Sequence, residues 1–386
     1  MKYKLEDICI KITDGSHFSP KDNKNSAIPM YSVKDMQEFN FDMYNCKHIS
    51  EEDYIKLLAQ DCVPKKNDIL VAKDGSYLKE IFVNEIEDKK AILSSIAIFR
   101  PNLNIINPYF LCYLLKSPEV SNYTKENCVS GSAIPRIVIK DFKKIELNIP
   151  EMCIQNKIVK ILKKINEKII ANTHTNNNLL EILNMKFNEW IDTLKDYEIS
   201  SLSNIATYTN GLAMQKFRPQ DEKGLPVIKI KEMNDGISDN TERCSSYIKN
   251  EYIIKNGDVL FAWSGTLCMT IWCQGKAGLN QHIFKVDSDT YPKWFIYLWT
   301  KKHLDKFIEI AAGKATTMGH IKRKELDLAE VKIPTKEELL NANEIFSPLL
   351  EKYIKNKVEI ETLKSIRDTL LPKLMNGEID LNKIEI

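Results

Sequence analysis

The chain has 386 residues, 43% hydrophobic and 28% charged, a balance that excludes a disordered polymer and leaves room for two or three separately cored domains. No apolar run approaches the roughly 18–20 residues that span a bilayer, and the start, Met1-Lys-Tyr-Lys-Leu-Glu-Asp7, lacks the apolar core of a secretory leader. The 55 basic and 53 acidic side chains leave a net charge of +2, which neither requires nor excludes a polyanionic partner.

Charge is spread evenly along the chain. Residues 1–150 carry 21 basic and 21 acidic groups, and residues 195–334 carry 20 and 17. Any anion-binding face must therefore be a local patch. The nine cysteines form no CxxC motif and no second pair at zinc spacing, so free thiols in a reducing cytoplasm are expected.

In chain order, the first elements occur twice. Leu5-Glu-Asp-Ile8 leads to a turn at Asp14-Gly15, and Leu202-Ser-Asn-Ile205 leads to Asn210-Gly211. The runs Ile28-Pro-Met-Tyr-Ser-Val-Lys-Asp-Met36 and Leu225-Pro-Val-Ile-Lys-Ile-Lys-Glu-Met233 predict strands. Next, Asp68-Ile-Leu-Val-Ala72-Lys-Asp-Gly75-Ser76 matches Asp258-Val-Leu-Phe-Ala262-Trp-Ser-Gly265-Thr266, a buried strand followed by a glycine loop. Asn107-Pro108-Tyr109-Phe110 matches Tyr291-Pro292-Lys293-Trp294, each predicting a helix with proline in its first turn. The modules close on small polar loops, Gly131 to Arg136 and Gly313 to His320, and then on Ile149-Pro150 and Ile333-Pro334.

Beyond each Ile-Pro junction the apolar residues step by threes and fours. Ile158, Leu162, Ile165, Ile169, Leu179, Leu183, Trp190 and Leu194 form one seam; Ala342, Phe346, Leu349, Tyr353, Ile360 and Leu363 form another. Each pattern predicts a helix of roughly 40 residues, or about 60 Å. Pro348 predicts a kink or break in the second. Asn172 and Asn356 occupy matched seam positions; two antiparallel helices related by a pseudo-twofold would bring them together at the midpoint and so fix register.

These residues resemble a family. Ile366-Arg-Asp-Thr-Leu-Leu-Pro-Lys-Leu-Met-Asn-Gly-Glu-Ile379 is similar to the C-terminal motif of type I restriction–modification specificity subunits. Asn148-Ile-Pro150 with Gln155-Asn-Lys-Ile-Val-Lys-Ile-Leu162 is similar to their central segment, and Gly131-Ser-Ala-Ile-Pro-Arg-Ile137 to part of their recognition domains. The start of the first helix, Glu151-Met-Cys-Ile-Gln155, departs from the usual proline- and glutamate-rich pattern. The resemblance covers the whole chain. It implies an α+β protein with two mixed α/β target-recognition domains, 1–150 and 195–334, separated by two long antiparallel coiled-coil helices, 151–194 and 335–380, in a pseudo-twofold internal repeat.

It also implies a cytoplasmic, non-catalytic subunit that reads a bipartite asymmetric target in double-stranded DNA, one half-site per domain. The helices would act as a spacer ruler and as a docking site for two methyltransferase subunits, joined by an ATP-dependent motor–nuclease for cleavage. No cofactor is expected in this chain; S-adenosylmethionine would reside in the partners. The alternatives are a single-chain DNA methyltransferase or nuclease, and a scaffold that only bridges proteins.

The residues give little to the enzymatic alternatives. Asn107-Pro108-Tyr109-Phe110 lacks one proline of an amino-methyltransferase loop, and no glycine-rich cofactor loop follows a strand. Glu330-Val-Lys332 has the Glu-x-Lys form of nuclease sites, but its repeat Glu146-Leu-Asn148 does not. Reading DNA calls instead for basic and polar side chains on loops. In the first domain the candidates are Ser16, His17, Lys34, Lys73, Ser76, Ser132 and Arg136; in the second, Gln215, Lys216, Arg218, Lys229, Lys231, Trp263, Thr266, Lys314, Thr316, Thr317, His320, Lys322 and Arg323. Lys73 at the position matching Trp263 suggests a loop tip rather than core.

Overall fold

The computed structural model describes every residue except 76, 132–134, 220–223, 314–318 and 382–386. The chain divides into two compact units, Met1–Ile165 with Ile366–Ile386, and Asn166–Ser365. The two long helices, Met152–Thr193 and Lys336–Met375, are each divided between the units, with the shorter part, 152–165 or 366–375, in the first.

In the first unit, Cys9–Asp14, Ile96–Pro101, Ile69–Ala72 and Ile81–Val83 form an antiparallel sheet in that order. The run Ile69-Leu-Val-Ala72 is buried throughout because both sheet faces are covered. Ile69 and Val71 join Phe99, Phe110 and Phe142 in the main core; Leu70 and Ala72 face Tyr31, Phe41 and Phe82 on the other side. A smaller sheet orders Lys47–Ile49, Ile28–Tyr31 and Ala91–Ile92, the last pair parallel. Asn107 caps the helix Pro108–Leu115 by accepting from the Tyr109 amide at 2.9 Å, and its own amide donates to Gln155 Oε1 at 2.8 Å. The Asn-Pro-Tyr-Phe run thus starts a helix.

The second unit repeats the sheet order with Thr207–Asn210, Ile283–Asp287, Val259–Ala262 and Cys268–Ile271. Its core is more aromatic: Trp294 stacks on Phe346 with ring centres 4.5 Å apart and donates its indole proton to Asn343 Oδ1 at 2.9 Å.

Each unit closes on itself at its Ile-Pro junction. Lys2–Lys4 pairs with Glu146–Asn148, and Tyr197–Ser201 pairs with Glu330–Pro334, so the opening strand lies against the closing one. The Glu330-Val-Lys332 run is thereby a ladder strand, and Lys332 Nζ caps the Ile191 carbonyl at 3.1 Å.

The break expected at Pro348 is absent; the helix Lys336–Met375 continues through it. Phe346 and Leu350, on either side, are both anchored in the core, and that packing outweighs one missing backbone hydrogen bond. Inside the second unit the helices meet through buried amides. Asn356 Nδ2 donates to Asn176 Oδ1 at 3.1 Å, Asn176 Nδ2 to the Tyr353 carbonyl at 3.2 Å, and Asn172 Nδ2 to Glu359 Oε2 at 2.9 Å. The amide that receives Asn356 is therefore Asn176, one turn beyond Asn172. Among the described residues, no helix is long and apolar enough to cross a membrane.

Candidate nucleic-acid interface

At one end of each of the two matched sheets, Cys9–Asp14 with its neighbours and Thr207–Asn210 with its neighbours, three chain segments meet through the same backbone bonds. The first sheet strand ends at Gly15 or Gly211, whose amides reach the Ile96 carbonyl at 3.0 Å and the Ile283 carbonyl at 3.2 Å. A Cβ at Gly15 would stand 2.5 Å from the Ile92 carbonyl oxygen, and one at Gly211 2.3 Å from that of Asn280, so neither position admits a side chain. The central strand ends at Lys73 or Trp263, whose amides reach Ser95 O at 2.9 Å and His282 O at 3.2 Å. The closing loop returns as Ile137 N to Lys73 O at 3.0 Å, and Ile321 N to Trp263 O at 3.1 Å. Gly75 N to Pro135 O and Gly265 N to Gly319 O complete the match at 2.8 and 2.9 Å.

On this shared frame the side chains differ. In the first unit Lys73 Nζ lies 2.7 Å from Asp14 Oδ2 and 3.9 Å from Asp74 Oδ1, with only 9% of its side chain exposed. His17 Nε2 stands 3.6 Å from the same Asp14 oxygen and is 79% exposed. Arg136 is exposed and bridges by its backbone to Asp74. In the second unit Trp263 Nε1 donates to Asn210 Oδ1 at 2.9 Å, the counterpart of the Lys73–Asp14 contact. Its ring stacks on Phe284 at 5.6 Å and meets His320 edge-on at 6.5 Å. Arg323 lies 5.6 Å over the Phe284 ring and donates to the Tyr208 carbonyl at 3.1 Å. One brace is ionic; the other is an aromatic–amide pair.

The structure sorts the remaining candidates by what they touch. Ser16 is buried, and its hydroxyl accepts from Phe18 N at 3.0 Å and donates to Phe18 O at 2.7 Å, which makes it a turn clamp. Lys229 pairs with Glu242 at 2.6 Å. Lys34, Gln215, Lys216, Arg218, Lys231, Thr266, His320 and Lys322 are exposed. Ser76, Ser132, Lys314, Thr316 and Thr317 lie outside the described residues. Sequence reasoning missed Asp14 and Asn210, the brace partners, although both directly precede the matched glycines.

Among the described residues, no group of three His, Cys, Asp or Glu side chains is placed to hold an ion. Burial pushes the Cys9 thiol up to about 12 and raises those of Cys112, Cys244 and Cys273, as expected for packing residues held protonated.

Comparison with known proteins points the same way as the geometry. The family model described as "Type I restriction modification DNA specificity domain" matches residues 1–181 and again 194–367. The chain is 23% identical to the type I restriction enzyme HindI specificity subunit of Haemophilus influenzae, over 82% of this chain and 87% of that protein. It is 24% identical to the MjaIX specificity subunit of Methanocaldococcus jannaschii, over 74% and 72% respectively. In fold it resembles the S subunit of a type I restriction–modification system from M. genitalium, with a TM-score of 0.55 and 16% identity, covering 97% of this chain and 95% of that one.

Proposed function

Since the chain belongs to the type I restriction–modification DNA specificity family, we propose that each of its two units reads one half of an asymmetric, bipartite DNA target. The observation that carries this reading is the pair of sheet ends. Identical backbone bonds hold the Lys73–Asp14 pair in one unit and the Trp263–Asn210 pair in the other. Beside them stand different exposed side chains, His17 and Arg136 against Thr266, His320 and Lys322, so the two surfaces suit different base sequences.

The long helices then act as an antiparallel coiled pair with pseudo-twofold symmetry. They set the spacing between half-sites and dock two methyltransferase subunits, which hold S-adenosylmethionine; a motor–nuclease joins the complex for cleavage. The amides Asn172, Asn176 and Asn356 at their contact favour one register over its neighbours. The chain itself performs no methyl transfer.

Methylome sequencing of cells that express the chain with its modification subunits tests the proposal. A two-part motif with different halves is expected, and inserting about one heptad in the first helix should lengthen only the gap between them. A palindromic motif, or loss of both halves on insertion, would overturn it.

A further inference from the structure

Each unit carries an exposed phenylalanine on the loop that leaves the brace. Phe18 is 62% exposed and Phe217 38% exposed. Both stand in the same local pattern, Phe18-Ser19-Pro20 and Phe217-Arg218-Pro219, between the matched glycine and the next strand, Ile28–Tyr31 or Leu225–Ile228. Single exposed apolar side chains are common and need no explanation. The recurrence of a Phe-x-Pro in the corresponding loop of both units, shortly after Gly15 and shortly after Gly211, does need one.

The backbone beneath each ring is held, and both side chains remain exposed. Ser16 clamps both polar backbone atoms of Phe18, and Lys47 Nζ donates to Ser19 Oγ at 2.8 Å. Phe217 N donates to the Met214 carbonyl at 2.9 Å, and Phe217 O accepts from Ser245 N at 2.7 Å. Exposed cations flank both: Lys21 near Phe18, Lys216 and Arg218 beside Phe217. An occupant of such a surface is anionic outside and apolar within reach of a ring, which describes duplex DNA.

We propose that Phe18 and Phe217 are specificity contacts, one per half-site, each laying its ring on the apolar surface of a base. The inference rests on the DNA-reading function proposed above. A phenyl ring makes no conventional hydrogen bond, so its target is either a thymine 5-methyl in the major groove or a base face uncovered at a kinked step.

The test uses the full chain assembled with its modification subunits and the target found by methylome sequencing. Phe18→Ala and Phe217→Ala complexes are titrated with the normal target, with targets carrying uracil for thymine in one half-site, and with targets carrying 2-aminopurine in one half-site. Each variant should bind roughly tenfold more weakly with an unchanged salt slope, since no phosphate contact is removed. In the half-site that its phenylalanine serves, each variant should also lose the wild-type response to uracil, which identifies a methyl contact, or to 2-aminopurine, which identifies an opened step. Binding within about twofold of wild type, or equal loss of response in both half-sites, would overturn the inference. A wild-type complex that does not distinguish its target from scrambled DNA would instead overturn the DNA-reading function.

Discussion

The sheet ends of the two units place opposite chemistries on one backbone. Lys73 and Asp14 make a nearly buried ion pair, whereas Trp263 and Asn210 make a neutral one flanked by Phe284 and His320. A buried ion pair is intolerant of losing one member, because the survivor is left charged in a poorly solvated place. An aromatic–amide pair loses packing and one hydrogen bond, and strands no charge. The first brace should therefore be rigid in its identity and the second more tolerant.

The largest expected effect is Lys73→Ala, which leaves Asp14 without its cation and should destabilise the first unit by about 3 kcal/mol. All five tryptophans, Trp190 to Trp299, lie in the second unit, so the loss must be read by hydrogen exchange on Ile69–Ala72. Adding Asp14→Asn should recover about 1 kcal/mol by removing the stranded charge; no recovery would mean that the contact is not ionic in character. Trp263→Ala should cost about 2 kcal/mol in the second unit, measured by urea denaturation with fluorescence of the remaining tryptophans. A cost above that of Lys73→Ala would reverse the ranking.

A smaller contrast lies within the second unit. Asn176→Leu leaves the buried Asn356 amide without its acceptor and should cost about 1–2 kcal/mol, with Asn176→Leu/Asn356→Leu recovering most of it. If the double variant is worse than the single, the pair is not isolated from its neighbours. The smallest effect is pH-dependent. Burial holds the His303 imidazole below its ordinary value of 6.5, against the pull of its 2.8 Å bond to the Glu330 carbonyl. The unfolded chain therefore takes up the proton first, and this contribution, full above about pH 6.5, fades as pH falls toward the folded value. His303→Gln should flatten the fall in melting temperature between about pH 7 and 5; an unchanged slope would assign the fall to other groups.

Both long helices and the buried strands Ile69–Ala72 and Val259–Ala262 were legible because each rests on a local period. The runs expected as strands over 28–36 and 225–233 instead stop at Tyr31 and Ile228 and turn into the helical segments Val33–Asp35 and Ile230–Asp235. Which loop residues are engaged was not legible. Lys73 looked like a free loop cation because its partner, Asp14, lies 59 positions away, and only the folded sheet brings them together. Ser16 looked like a donor for DNA, yet its hydroxyl clamps Phe18. The repeat suggested pairing Asn172 with Asn356, but where two helices touch depends on packing along their whole length, and Asn176 occupies that place. Phe18 and Phe217 were in view as a repeated Phe-x-Pro, a pattern easily passed over when basic and polar residues are sought.

The strand pair Tyr197–Ser201 with Glu330–Pro334 has a consequence of its own. It clasps the chain where it leaves the end of one long helix and where it returns to the start of the other. Residues 202–329 thus form an excursion whose two ends are already joined. Closing a longer excursion at this neck costs only about 0.6 kcal/mol more for each doubling of its length. A different excursion could be grafted at this clasp, by recombination or in the laboratory, provided it also covers Phe187 and Phe346, the helix side chains on which Trp299 and Trp294 now pack.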